Sequence, residues 1–251
     1  MLYRADLHIH SCLSPCGSLE MSPRDIVQRA REKGLNLIAI SDHNSALNVR
    51  ALHDVCARYD DIDCLYVIEA TSAEEVHCLC LFDDVEAASD FGEYVYKSLD
   101  AIPNNPVRFG DQVYVDADDT VLGEAKTYLG GASAFTVDEL FDSVRSRGGL
   151  FVPAHVDRAA FSMSSQLGFI PHNDYTALEF SRHYFARMER NLPVESVANA
   201  EGYPAVTNSD SHYLETIGTT VIELDLEHLS IPDMVHALTN LRFTARAKDS
   251  A

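Results

Sequence analysis

Short apolar segments alternate with helical segments along most of this chain, and this alternation limits the folds it can adopt. Residues 37–40 and 150–152 are typical of buried strands, whereas residues 23–34 and 137–147 have helical periodicity. Repeated alternation of this kind predicts an α/β protein with a parallel sheet covered by helices. About seven such units favour a closed or nearly closed barrel, with an open doubly wound sheet as the alternative.

The composition is that of a globular protein, with 251 residues of which 46% are hydrophobic and 23% charged. We find no linker, repeat or low-complexity stretch, so the sequence predicts a single domain over residues 1–251. Residues 83–137 are the least regular part. We interpret them as an insertion that contains a helix and a small acidic hairpin.

The chain is strongly acidic, with 39 Asp and Glu residues against 19 Lys and Arg residues and a formal net charge of −20. This balance argues against bulk electrostatic binding of nucleic acid or of an anionic membrane. A small phosphorylated partner is therefore expected, and nucleic acid is disfavoured. The sequence has neither an apolar signal core nor a membrane-spanning run, which predicts a cytoplasmic protein with no membrane partner.

Histidines and carboxylates concentrate where the predicted strands end. In a parallel barrel these ends converge on one face, which carries the active site. His8 and His10 lie on the same side of one strand, because side chains alternate along a strand. The full set is His8, His10, Asp42, His43, Glu69, His77, His155, Asp210 and His212.

Such a cluster predicts a metal centre. Mixed imidazole and carboxylate ligands suit Zn, Mn or Fe better than Ca or Mg. The candidate ligands are too many for one tetrahedral ion, so two or three divalent ions are expected. Multi-metal sites of this type activate water and hold phosphoryl oxygens.

The ordered motifs resemble those of the PHP (polymerase and histidinol phosphatase) family. The resemblance extends from residue 6 to residue 212. It implies a distorted (β/α)7 barrel with a trinuclear metal cleft and hydrolysis of phosphate esters by a metal-bound hydroxide. The motifs are Asp6-Leu7-His8-Ile9-His10-Ser11, Ser41-Asp42-His43-Asn44, Glu69, His77, Pro153-Ala154-His155 and Ser209-Asp210-Ser211-His212.

The resemblance also implies how the ligands are divided among the ions. One ion would take His8, His10, Glu69 and Asp210. A second would share Glu69 and add His77 and His155, and a third would take His43 and His212.

This chain departs from the family at Cys16. Family members usually carry a His or Asp at this place, as a ligand of the third metal. A Cys16 thiolate would suit zinc. Alternatively, Cys16 is an unligated turn residue and Glu20 or water completes the site.

Two further residues are candidates for catalysis. Asp42 is expected to hold a ligand imidazole in the required tautomer, with a strand-end turn cap as the alternative. Arg158 follows His155 on one loop and is expected to bind a substrate phosphate, with a salt bridge to Asp157 or another acid as the alternative. Arg182 and His183 could also line the cleft.

The leading hypothesis is a metal-dependent phosphoesterase acting on a small phosphorylated metabolite or nucleotide. The second is a nuclease acting on DNA or RNA ends, which would need a basic track that the sequence lacks. The third is a non-catalytic metal-binding module. Substrate, metal identity and oligomeric state are not readable from the sequence.

Overall fold

A computed structural model describes residues 1–191 and 196–247. The strands in these ranges are β1 (Leu2–Asp6), β2 (Leu37–His43), β3 (Asp63–Thr71), β4 (His77–Phe82), β5 (Val113–Val115), β6 (Val121–Glu124), β7 (Leu150–Pro153), β8 (Leu178–Glu179), β9 (Ala205–Val206), β10 (Thr220–Asp225) and β11 (Phe243–Ala247). The helices are α1 (Pro23–Glu32), α2 (Val49–Cys56), α3 (Val85–Ser98), α4 (Pro106–Phe109), α5 (Val137–Ser146), α6 (Met163–Gln166), α7 (Arg182–Glu189) and α8 (Ile231–Thr239), with a 3₁₀ turn at Leu214–Thr216.

A seven-stranded sheet forms the centre of the molecule, in the order β11-β10-β1-β2-β3-β4-β7. Neighbours β1, β2 and β3 are parallel as predicted, but β4 and β10 run antiparallel to both of their neighbours. The prediction of a parallel sheet was therefore wrong for these two strands. A tight turn closed by a 2.8 Å bond from Ser72 N to Val76 O joins β3 to β4. So short a connection cannot make the crossover that parallel strands require.

The curled sheet is almost closed by the parallel pair β8–β9. The backbone N–H of Val156, just after β7, donates to Glu179 O at 2.8 Å. On the other side, His10 N donates to Ser211 O at 2.8 Å, beyond the ends of β1 and β9. Strands β1, β2, β3, β4, β7, β8 and β9 thus surround one interior, which confirms the predicted barrel-like α/β fold.

Both faces of the central strands are buried, which explains their continuous apolar sequences. In β2, Leu37 and Ala39 pack inside the barrel with residues such as Val67. Ile38 and Ile40 point the other way, into a cluster that includes residues of α1 and α2. The alternation of side chains along each strand therefore separates an inner core from a helix-facing core.

Local signals predicted the helix starts well. Ser22 accepts a hydrogen bond from Asp25 N at 3.1 Å and caps α1, with Pro23 in the first turn. Thr136 and Glu139 form a capping box at the start of α5. Helix α7 was not predicted, because none of its residues is buried and its sequence lacks an apolar stripe.

The region of residues 83–137 contains α3, α4 and the predicted hairpin, which pairs β5 with β6. The one-domain organisation and the cytoplasmic location stay predictions. Among the described residues, none of the helices combines the length and the apolar character needed to cross a membrane.

Candidate metal centre

The predicted ligands meet at one end of the barrel. His8 and His10 follow β1, His43 ends β2, and His155 follows β7. His77 is the exception, since it begins β4 instead of ending a strand. It reaches the same edge because β4 runs antiparallel to β3, with His77 paired opposite Thr71.

Glu69 is the centre of the cluster. Its carboxylate is 1% exposed, and Oε1 lies 2.9 Å from His77 Nδ1 and 3.2 Å from His155 Nε2. Oε2 lies 3.0 Å from His43 Nδ1 and 3.3 Å from His10 Nε2. One carboxylate therefore faces imidazoles from four different parts of the chain.

Asp210 is a second carboxylate that faces the two histidines that follow β1, at the same Nε2 atoms that face Glu69. Its Oδ1 is 3.5 Å from His8 Nε2 and 3.3 Å from His10 Nε2. The ring of His212 stacks on the ring of His10, with centroids 4.4 Å apart. Every residue predicted as a ligand is thus part of one contiguous cluster.

The arrangement fits metal ions better than it fits a hydrogen-bonded network. Among the described residues, several buried atoms that face one another in the cluster have no hydrogen bond of good geometry: His8 Nε2, His43 Nδ1, Glu69 Oε2 and His77 Nδ1. Leaving buried polar atoms unpaired is costly unless a cation satisfies them. The cluster could therefore hold divalent ions.

Electrostatics set the protonation of the cluster without metal. Burial alone would lower the pKa of His8, but the Glu179, Glu69 and Asp210 carboxylates raise it well above its ordinary value. Burial, together with the neighbouring imidazoles, lowers the pKa of His43 well below its ordinary value despite Glu69.

Burial and neighbouring charges also shift the pKa values of His212 and Glu69. Burial and the charge of His10 lower the pKa of His212 to about 4. Burial would raise the pKa of Glu69, but the imidazoles, His77 foremost, hold it well below its usual range. Near neutral pH the metal-free cluster thus carries a charged Glu69 and a protonated His8, and His212 is neutral.

Glu179 is a site residue that sequence reasoning missed. Its buried carboxylate accepts hydrogen bonds from His8 Nδ1, from His155 N at 3.0 Å and from Asn208 Nδ2 at 2.8 Å. The available signal was a carboxylate at the end of the apolar segment 176–180. Glu179 orients His8 so that Nε2 faces the cluster.

Asp42 acts on the cluster through a serine. It accepts hydrogen bonds from Ser11 N at 2.8 Å and from Ser14 Oγ at 2.7 Å. The same Ser14 Oγ lies 3.0 Å from His10 Nδ1. Asp42 therefore combines the two predicted alternatives: it caps the turn after β1, and it positions His10 indirectly.

Arg158 lies at the rim of the cluster, where its side chain is 47% exposed. Its Nη1 donates a hydrogen bond to Asp210 Oδ2 at 2.5 Å. In the metal-free protein, Arg158 therefore forms a salt bridge to an acid, which was the alternative to phosphate binding. Asp157 is not the partner, because it binds Ser181 N and Oγ instead. Arg158, Arg182 and His183 line a cleft of about 100 Å³ that reaches His155 and Asp210.

Two members of the cluster have unusual backbone conformations. His155 has φ of +27° and Asp210 has φ of +49°, in the region that favours glycine. Such strain is retained where the surrounding structure requires a particular side-chain direction. It supports the view that these two positions serve the site.

Cys16 lies on a turn that is anchored at both ends. Gly17 N donates to Ser14 O at 2.9 Å, and Ser18 N donates to His212 O at 3.0 Å. Ligand atoms of His10, Cys16 and His212 lie within 4.8 Å of one another, whereas Glu20 is exposed and outside this group. The geometry thus favours the thiol over Glu20 as the additional ligand.

The model of the PHP domain matches residues 6–215, which is most of the chain. The chain belongs to the PHP family. The model of a PHP-associated segment also matches residues 189–243. This second match covers β9, β10 and α8.

Solved structures of similar fold include the lesion-specific endonuclease EndoQ from Pyrococcus furiosus. It is 17% identical, with a TM-score of 0.66 and coverage of 98% of this chain and 58% of that chain. A two-domain protein from Bacteroides vulgatus that contains a predicted PHP-like metal-dependent phosphoesterase is 15% identical. Its TM-score is 0.51, with coverage of 98% of this chain and 65% of that chain.

An uncharacterized protein of Methanocaldococcus jannaschii is 27% identical over 155 residues, which are 62% of this chain and 16% of that protein. This chain therefore spans less than two thirds of the length of each of these three proteins. The expectation against nucleic acid is not supported, because an endonuclease is among the proteins of similar fold.

The PHP resemblance and the geometry agree on two of the three ligand groups. His8, His10 and Glu69 come together with Asp210, and Glu69 comes together with His77 and His155. The third group differs. His212 lies with His10 and Cys16, whereas His43 lies with Glu69 and His77.

Proposed function

We propose that this PHP protein is a metal-dependent phosphoesterase that hydrolyses phosphate esters of a small phosphorylated metabolite or nucleotide. The observation that carries this proposal is the buried cluster around Glu69, with its four unpaired atoms on His8, His43, Glu69 and His77. Unpaired buried polar atoms stabilise neither a folded core nor a hydrogen-bonded network. A centre that binds cations and an anionic substrate, by contrast, requires ligand atoms that have no other partner.

The cluster is proposed to hold two or three divalent ions of Zn, Mn or Fe. When bound, these ions supply an activated water and a positive field for the phosphoryl oxygens. Cys16 is proposed as an additional ligand of the third ion. The other proposed ligands are the imidazoles and carboxylates of His8, His10, His43, Glu69, His77, His155, Asp210 and His212.

The protein's own groups would hold and orient the reactants. Glu179 keeps Nδ1 of His8 protonated and leaves Nε2 free to bind. Arg158 has five N–H donors, and its exposed guanidinium can bind Asp210 and still present donors to a phosphate. Arg182, on the same cleft, offers a second cation for the negative charge that builds on the phosphoryl oxygens.

The test is phosphate release by protein loaded separately with Mn, Zn, Fe(II) and Mg. Phosphate monoesters, namely phosphorylated sugars and mononucleotides, would serve as substrates. We expect H155N to lower kcat/KM by about a hundredfold or more, because one ion loses a ligand. The matched control is H228N, since His228 is 83% exposed and far from the cluster in sequence. Loaded wild-type protein that releases phosphate from none of these esters would overturn the proposal.

A nuclease is the second candidate, favoured by the similarity in fold to an endonuclease. The discriminating experiment compares oligonucleotides with mononucleotides under identical metal loading. Faster cleavage of oligonucleotides, together with a steep decrease in rate with salt, would support the nuclease. A preference for mononucleotides would support the small-substrate phosphoesterase.

A further inference from the structure

Phe161 is an exposed aromatic residue at the edge of the metal centre. Its ring stacks on the ring of His77, with centroids 4.8 Å apart and an angle of 14° between the planes. The residue is nevertheless 42% exposed. One face of the phenyl ring therefore covers a proposed metal ligand, while much of the side chain remains accessible from outside.

The backbone holds Phe161 in this place at a cost. Its φ of +57° lies in the left-handed region, where a bulky side chain is uncommon and glycine is favoured. His77 N donates to Phe161 O at 2.9 Å, which ties the two residues together through the main chain as well. Strain of this kind points to a functional requirement for the side chain.

The loop that carries Phe161 also carries Arg158. It begins after His155 and is closed by hydrogen bonds from Arg158 N to His155 O at 2.9 Å and from Ser162 Oγ to Arg158 O at 2.6 Å. Three residues span at most about 11 Å along an extended chain, which limits the distance between the Cα atoms of Arg158 and Phe161. Arg158 contacts Asp210 and Phe161 contacts His77, so a cationic group and an exposed flat ring flank the same candidate metal centre.

We propose that Phe161 is a specificity-determining residue that stacks on the nucleobase of a nucleoside phosphate substrate. This inference rests on the proposed phosphoesterase function and deepens it. Stacking on an aromatic side chain needs no particular base, because every base has a flat face. The ester would lie with its phosphate towards the ions and Arg158, and with its base against the free face of Phe161.

The experiment compares AMP with ribose 5-phosphate, which differ only in the base. The measured quantity is the ratio of kcat/KM for AMP to kcat/KM for ribose 5-phosphate. F161L keeps an apolar side chain but removes the flat ring, and we expect this ratio to fall about tenfold. F161W should restore the ratio, since tryptophan also stacks. F169L is the matched control, because Phe169 is equally exposed on another loop, and it should leave the ratio unchanged.

Two results would overturn the proposal. In both, the ratio stays unchanged: a parallel loss of kcat/KM for both substrates in F161L would mean that the ring serves only His77, and unchanged kcat/KM for both would mean that it serves neither. If the wild-type protein hydrolyses neither of these two esters, the proposed function is decided by the wider panel of esters. Calorimetry with an uncleavable AMP analogue, which has a methylene in place of the bridging oxygen, then still tests the stacking. Equal affinity of wild type and F161L for this analogue would exclude stacking of the base on Phe161.

Discussion

Glu179 accepts a hydrogen bond from His8 Nδ1 at 3.0 Å, and both side chains are buried. The bond fixes the tautomer of His8, with Nε2 facing Glu69 and Asp210. Without Glu179, the imidazole could rotate or protonate the nitrogen that faces the ions. The carboxylate would therefore support metal binding even though it lies behind a proposed ligand.

We expect E179Q to weaken metal binding by about 10- to 100-fold, because an amide supports the required tautomer less well than a carboxylate. Competition against a chromogenic chelator measures the affinity. E201Q is the control, since Glu201 is exposed and outside the cluster. Equal affinities in E179Q and wild type would show that Glu179 has only a packing role.

Metal binding should release protons at neutral pH. The pKa of His8 is raised well above its ordinary value in the metal-free protein, so this imidazole is protonated there and must lose a proton from Nε2 to bind an ion. The affinity should therefore rise with pH, by up to about tenfold per unit, until the pH passes the pKa of His8.

Calorimetry of Zn binding in PIPES and in HEPES buffer checks this proton release. The observed enthalpies should differ by the difference between the two buffer ionisation enthalpies multiplied by the number of protons released, in the direction of proton release to the buffer. His212 does not contribute, because its pKa of about 4 leaves it neutral. Identical enthalpies in the two buffers would contradict the prediction.

Cys16 should provide a thiolate to the third ion. Its thiol lies with His10 and His212 in a group whose ligand atoms are within 4.8 Å of one another. Protein loaded with Co²⁺ should then have a sulfur-to-cobalt charge-transfer absorption in the near ultraviolet, because cobalt takes the same ligands as zinc. C16S should lose this absorption, and C16H should lose it while retaining the third ion.

C64S is the control for cobalt binding, since Cys64 lies at the start of β3, at the other end of the strand from Glu69. It should keep the absorption. If the wild-type protein lacks the absorption, Cys16 is an unligated turn residue, and if C16S keeps it, a different thiol binds the cobalt.

Most of the candidate metal centre was predictable because most of its proposed ligands lie at or just beyond the ends of apolar strands, and both features are visible in a sequence. His77 was predicted correctly as a member of this cluster, but the reason for the prediction, that it ends a strand, was wrong. The tight turn at Ser72–Val76 reverses β4, so that the start of this strand meets the ends of its neighbours. Strand direction depends on how the connection folds, and hydrophobic patterning does not report it.

Glu179 and Phe161 were not predictable in the same way. Glu179 is a buried carboxylate whose partners, His8 and Asn208, are distant in sequence. Phe161 looks like an ordinary apolar loop residue, because neither its left-handed backbone nor its stacking on His77 leaves a sequence pattern. Both roles arise from tertiary contacts.

Gly92 should be sensitive to substitution even though it lies inside α3. Alanine is favoured over glycine in a helix by about 1 kcal/mol. A Cβ at position 92, however, would contact the Cβ of Ala46 and lie 2.7 Å from Ala46 N. Overpacking of this kind costs about 1–3 kcal/mol, so after the gain in helix propensity we expect G92A to lower the free energy of unfolding by up to about 2 kcal/mol.

Denaturant unfolding of G92A, A46G and the double variant measures this effect. The double variant should recover part of the loss, because A46G removes one of the two clashing groups and leaves the backbone contact. The segment around Ala46 follows His43 directly, so G92A should also weaken metal binding through a displaced loop. The effects of G92A and A46G on the free energy of unfolding would simply add in the double variant if α3 shifts away from this loop. Additive effects together with an unchanged metal affinity would therefore contradict the prediction.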